Sequence, residues 1–293
     1  MKALWHRLTH EWRLWLVALQ FFTRVPVAGW PQFDPDWLRQ CMRYFPLVGT
    51  LVGVWGCGVL AVASMWWPPS VAVGLSMAAT MWLTGGFHED GWADTCDGLG
   101  GAVTRERALT IMKDSRLGTY GALGLLMLLG LKAAVLIELL SPRAHELNEA
   151  QSSHIHQVLL GWTMMGLVWA HTLSRWMPVW LTATMPYAGD PDHAKAKPLA
   201  LQASRWQVMG AGLGVIVVGG ALWLLLGAVG WPVATLWHAL WLSTLVAGVV
   251  AVWARRWFMA RLGGFTGDTL GASQQLTELA VLLAWLTVVH PVA

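Results

Sequence analysis

The sequence predicts an all-α fold, a polytopic integral membrane helical bundle of about seven transmembrane helices with an interfacial helix at its N-terminus. Three observations predict it. Hydrophobic residues make up 56% of the chain and charged residues only 12%, about half the charged share of an ordinary soluble domain. The mean hydropathy is +0.51. Seven windows, near 46–66, 69–87, 118–140, 157–181, 207–229, 231–252 and 272–290, approach or exceed the roughly 20 residues that an α-helix needs to cross the hydrocarbon layer.

The N-terminal stretch 11–22 is shorter. Its Trp12, Trp15, Leu16 and Leu19 recur at helical spacing beside Glu11 and Arg13, the pattern of an amphipathic helix lying in the membrane interface. No small-x-small site follows it, so it is not read as a cleaved leader. Pro68-Pro69 and Gly230-Trp231-Pro232 break the chain between neighbouring windows and predict two tight hairpins. Twenty-two Trp against three Tyr suit a protein with long perimeters at the membrane surface, where an indole buries its ring and keeps its N–H wet. Cys41, Cys57 and Cys96 are odd in number and show no CxxC spacing, which predicts thiols rather than a disulfide framework or a zinc site.

Charge sets the orientation. The segments 1–45, 88–117, 186–206 and 253–271 hold 16 of the 19 Lys and Arg residues, and with seven crossings all four lie on one side. By the positive-inside rule that side is the cytoplasm, the C-terminus lies outside, and the membrane is the inner membrane. The net charge of +3 follows from this topology. No Lys/Arg run or interleaved aromatic patch points to nucleic acid. Neither repeats nor a soluble-domain boundary divide the chain, which predicts one membrane-embedded domain over 1–293.

The chemistry is concentrated after the second window. Glu89, Asp90, Asp94 and Asp97 are four of only sixteen acidic residues and fall within nine positions. Asp90, Asp94 and Asp97 stand at i, i+4 and i+7, so on a helix they share one face. At about 6 Å each pair repels by roughly 0.7 kcal/mol in bulk water, and by more where water is scarce. A cation among them removes that cost. All-oxygen donors favour a hard ion, and Mg²⁺ suits a site that also handles phosphate. A plain solvated acidic face is the competing explanation.

About 20 residues later come Arg105, Arg107 and the run Lys113-Asp114-Ser115-Arg116-Leu117-Gly118. Lys113, Ser115 and Arg116 offer a point charge, a hydroxyl and a forked donor, which is equipment for phosphate. Basic anchoring of the third span would use the same residues. A third segment, Gly263 to Ala272, places glycines around Asp268 as a ligand loop would. Glu278 follows inside the last span, where an ionisable side chain lines a cavity or finds a partner. Lys197, in the segment 186–206, and Arg175, near a helix end, are further candidates for gripping an anion; snorkelling also accounts for Arg175.

A cytoplasmic magnesium site, a basic patch and a glycine-rich acidic segment on membrane helices suggest displacement at phosphorus. The run Gly85-Gly86-Phe87-His88-Glu89-Asp90-Gly91-Trp92-Ala93-Asp94-Thr95-Cys96-Asp97-Gly98, with Ile111-Met112-Lys113-Asp114-Ser115-Arg116-Leu117-Gly118-Thr119-Tyr120-Gly121 after it, resembles the cobalamin synthase (adenosylcobinamide-GDP ribazoletransferase) family. Shorter matches at Phe21-Phe22-Thr23-Arg24, Tyr44-Phe45-Pro46, Ser174-Arg175, Lys195-Ala196-Lys197-Pro198 and Thr266-Gly267-Asp268-Thr269 extend the resemblance along most of the chain. It implies that a ribose hydroxyl of α-ribazole or its phosphate attacks the phosphorus bonded to cobinamide in adenosylcobinamide-GDP, and that GMP leaves. It implies Mg²⁺ held by Glu89, Asp90, Asp94 and Asp97, with the diphosphate at Lys113, Ser115 and Arg116. Asp97, Asp114 or Asp268 is then the base. Besides its substrates, the expected partners are membrane lipids, with self-association or assembly with other enzymes of the pathway left open. Rivals are a CDP-alcohol phosphotransferase, whose Asp-Gly-x-x-Ala-Arg order is not met because Asp94 follows Ala93, and a cation channel or transporter.

Overall fold

In a computed structural model the described residues, 1–27, 34, 36–101, 104–142, 152–189, 202–228 and 231–290, are almost wholly helical. The helices are α1 (Lys2–Phe22), α2 (Asp36–Gln40), a 3-10 turn (Cys41–Tyr44), α3 (Phe45–Ala63), α4 (Pro69–Thr84), α5 (Phe87–Gly101), α6 (Arg105–Met112), α7 (Thr119–Leu140), α8 (Ser152–Ser174), α9 (Trp176–Thr184), α10 (Arg205–Ala228), α11 (Val233–Leu262) and α12 (Gly267–Val289). Among the described residues no strand forms, only an isolated bridge between Tyr187 and Phe265. Pro46 and Pro69 sit in the first turns of α3 and α4, where a missing N–H costs nothing.

The bundle is inside out by the standard of a soluble protein. Leu213, Ile216 and Leu224 on α10, and Trp237, Trp241, Leu245 and Val249 on α11, are all exposed, an apolar surface of the kind soluble monomers rarely show. At the centre α12 buries an unbroken run from Thr269 to Gln275. α7, α8 and α11 pack against it, and α3, α4 and α10 complete one large apolar core. Along α1, Leu14, Val17, Ala18 and Phe22 are buried while Leu4, Trp5, Leu8 and Trp12 face outward, so the N-terminal helix is amphipathic as expected and begins earlier than residue 11.

Each of the seven windows coincides with helix, but not every one is long and apolar enough to cross a membrane by length and composition alone. Among the described residues, five helices are long and apolar enough, or six if the bent pair α4 and α5 counts as one crossing. α4 has 16 residues, short of the roughly 20 required. α8 carries Gln157, Thr163, His171, Thr172 and Ser174 and falls outside that set. Seven crossings, with α4 and α8 counted beside those five, put all four basic segments on one side and the C-terminus on the other.

The bend at α4 creates the site. Gly85 and Gly86 take φ of 72° and 71°, a left-handed conformation that costs a glycine little. α5 consequently runs at 89° to α4, across the end of the bundle instead of through it. Arg24 braces the corner, its amide bonded to the Leu83 carbonyl at 2.8 Å.

Candidate active site

The orientation of α5 gives each side of the acidic motif a different neighbour. Gly91 faces α12 so closely that a Cβ there would lie 2.8 Å from the Asp268 carbonyl oxygen and 3.3 Å from the Gly271 Cα. Only two glycine backbones permit this approach. It sets the start of α12, with Asp268 in its first turn, against α5. Asp90 is exposed and Asp94 half-buried one turn further along.

Asp97, further along the same helix, is engaged by α7. Its Oδ2 accepts the Gly118 amide at 2.8 Å and its Oδ1 the Gly121 amide at 2.7 Å. These are the N-cap and third residues of α7, whose amides have no partner within the helix, and a carboxylate also complements the positive end of the helix dipole. Asp97 thus caps the following helix from 21 positions upstream.

Between the end of α5, α6 and the start of α7 lies an open pocket of about 560 Å³, lined by Asp97, Arg107, Asp114, Arg116, Gly118 and Tyr120 among others. Lys113, Ser115 and Arg116 are exposed, and Arg116 lines it. Asp114 lies 2.6 Å from an Arg116 Nη2, and hydrogen bonds from Arg116 pull its carboxyl down to about 2. Such a carboxylate is a weak proton acceptor at neutral pH. Arg105 has a structural task instead, donating to the carbonyls of Leu262 and Ala188 at 2.7 Å each.

Glu89 points inward. Its Oε1 accepts from Gln275 Nε2 at 3.0 Å, and with His88, Lys132, His171, Arg175 and Glu278 it borders a small cavity within the bundle. Arg175 is 2% exposed, donates to the His171 carbonyl at 3.0 Å and does not line the open pocket. Lys197 lies outside the described residues. Asp268 belongs to a capped helix start, not an open loop: Thr266 accepts from the Thr269 amide, and Thr269 returns the bond.

The four carboxylates therefore do not converge, and among the described residues no three His, Cys, Asp or Glu side chains could together hold a metal ion. The donor set still fits Mg²⁺ in a narrower sense. That ion commonly takes one or two carboxylates and completes its shell with water and substrate phosphate, and Asp90 and Asp94, one turn apart on the outer side of α5, are such a pair.

Sequence reasoning missed Gln274, Gln275 and His171. The signal was present: two amides and a carboxylate at 274, 275 and 278 within an apolar span. It also missed that distant motifs meet. Phe22 stacks on the His88 ring at 5.3 Å and packs edge-on against Phe45 at 4.5 Å, which joins the Phe21-Phe22 and Tyr44-Phe45-Pro46 matches to the start of the acidic motif.

A family model described as cobalamin-5-phosphate synthase matches residues 14–286. The chain is 53% identical, over 95% of its length and 97% of the relative's, to an adenosylcobinamide-GDP ribazoletransferase of Leptothrix cholodnii. It is 41% identical to one of Shewanella piezotolerans, over 95% and 98% of the two chains, and 40% identical to one of a Polaromonas species, over 92% and 95%. No solved structure matches it. A match this long, spanning the corner, the acidic helix and the capped α12 alike, makes the chain a member of the cobalamin-5-phosphate synthase family.

Proposed function

We propose that the chain transfers the cobinamide-phosphate group of adenosylcobinamide-GDP to a ribose hydroxyl of α-ribazole or α-ribazole 5'-phosphate. A bond forms between the ribose oxygen and the phosphorus attached to cobinamide, and the bond from that phosphorus to the bridging oxygen breaks. GMP leaves, the ribose proton passes to a carboxylate, and adenosylcobalamin or its phosphate is formed. The observation that carries this proposal is the 53% identity, from end to end, to a protein bearing that enzyme's name.

The end of the bundle crossed by α5 is assigned to the cytoplasmic face of the inner membrane, because basic segments meet there, Arg24 at the corner on Leu83 and Arg105 on Leu262. Asp90 and Asp94 would hold Mg²⁺, which when bound neutralises the diphosphate oxygens and the departing phosphate. Lys113, Ser115, Arg116 and Arg107 grip the diphosphate as point charge, hydroxyl and planar forks. Of the three candidate bases, Asp97 has both oxygens committed to α7 and Asp114 is held ionised by Arg116. That favours Asp268, at the start of α12 and beside α5, as the group that takes the ribose proton.

Purified protein in detergent or bilayers, supplied with adenosylcobinamide-GDP, α-ribazole and Mg²⁺, should release GMP together with a cobalamin product. Turnover of a CDP-alcohol donor in its place would reject the assignment.

A further inference from the structure

The first carboxylate of the acidic motif is held from inside the bundle. Lys132 on α7 and Glu278 on α12 form an ion pair at 2.8 Å with side chains only 7% and 3% exposed. The second Glu278 oxygen accepts from Gln274 at 2.6 Å and lies 3.1 Å from His171 Nδ1. Lys132 Nζ also donates to Gln275 Oε1 at 2.8 Å, and Gln275 Nε2 donates to Glu89 Oε1 at 3.0 Å. A continuous chain of polar contacts thus runs from the buried pair to α5.

Charges inside an apolar bundle are costly, and hydrophobic residues of like volume would pack as well or better. Retaining them requires a use. Gln275 is the member whose chemistry is most constrained, because it must accept from an ammonium with one end and donate to a carboxylate with the other. A glutamate there would repel Glu89, and a leucine would leave both partners one bond short. Glu89 Oε2 has no protein partner, and the adjoining cavity of about 20 Å³ has room for a water molecule.

We propose that Gln275 is a positioning residue for the transfer. Through it the Lys132–Glu278 pair fixes Glu89, and with Glu89 the turn of α5 that carries Asp90 and Asp94. This rests on the assignment of the outer side of α5 to the reaction.

The test compares kcat and KM for adenosylcobinamide-GDP, with thermal unfolding, in Gln275→Leu, Glu89→Ala and the double variant, beside Asp94→Asn. Gln275→Leu should lower kcat about tenfold or more while KM changes less than about threefold. The double variant should be no slower than Glu89→Ala alone, since the same contact is lost in either case. Wild-type kcat in Gln275→Leu, or losses that multiply in the double variant, overturns the proposal. Should Gln275→Leu not fold, Gln275→Asn, one methylene too short to span both partners, carries the same expectations. Wild-type turnover in Asp94→Asn removes the assignment of α5 itself; an inactive Asp94→Asn beside a fully active Gln275→Leu removes only the positioning role.

Discussion

Asp97 and Gly118 are joined by a hydrogen bond of 2.8 Å, with a second from Gly121 at 2.7 Å, so the last carboxylate of the acidic motif begins the next membrane helix. A residue placed on the reactive face by its spacing is in this way absorbed into the scaffold. Asp97→Ala leaves two amides without their acceptor and should cost roughly 1–2 kcal/mol of stability, read as a lower unfolding temperature in detergent. Asp97→Asn keeps an acceptor oxygen and should retain turnover within about tenfold, whereas loss of a general base costs about 10²–10⁴-fold.

The contact between α5 and α12 depends on the absence of a side chain at Gly91. In Gly91→Ala the new methyl meets the carbonyl oxygen and Cα of Asp268 at 2.8 and 3.2 Å, and backbone atoms cannot turn aside. The helices must separate, at about 1–3 kcal/mol, and turnover should fall with the unfolding temperature. Gly74→Ala, where a Cβ meets nothing within 4 Å, is the control and should leave turnover unchanged without lowering the unfolding temperature.

Breaking the buried ion pair on one side should be worse than removing it. Lys132→Met leaves Glu278 charged with a partner lost, which typically costs about 3–5 kcal/mol, whereas Lys132→Met combined with Glu278→Leu removes the uncompensated charge and should recover part of that loss. Thermal unfolding of the three proteins in one detergent checks the order. Equal or greater damage in the double variant would contradict it.

The Asp114–Arg116 pair gives a prediction about pH. The carboxyl lies near 2 instead of its ordinary 3.8 because Arg116 stabilises the ionised form. Its contribution is therefore present above pH 3.8 and is lost as pH falls toward 2, and the pair stays charged through the working range. Asp114→Asn should leave the shape of the pH–rate profile between about pH 5 and 9 unchanged, while KM for the nucleotide substrate rises as Arg116 loses its brace. Disappearance of a limb of that profile would identify Asp114 as the base.

The apolar windows were legible because lipid demands long uninterrupted runs, and every one of them is helix. Crossing was less legible, since α8 spends its polar residues on neighbouring helices and α4 stops at Gly85-Gly86. Helical spacing correctly placed Asp90 and Asp94 on one side of α5. It could not tell that Asp97, only slightly rotated from them, is claimed by the amides of a helix yet to begin. Glu278 announced a partner by its cost in an apolar span, and the structure supplies Lys132. The Gln275 link to Glu89 was not, because it joins residues 186 positions apart.

The account turns on the outer side of α5, and Asp94→Asn tests it most directly. GMP release from adenosylcobinamide-GDP and α-ribazole is followed with wild-type protein and with the variant, and folding of both is checked by thermal unfolding. Wild-type protein should release GMP in a Mg²⁺-dependent reaction, and the variant should unfold at the same temperature yet release none. GMP release by Asp94→Asn at the wild-type rate would contradict the account.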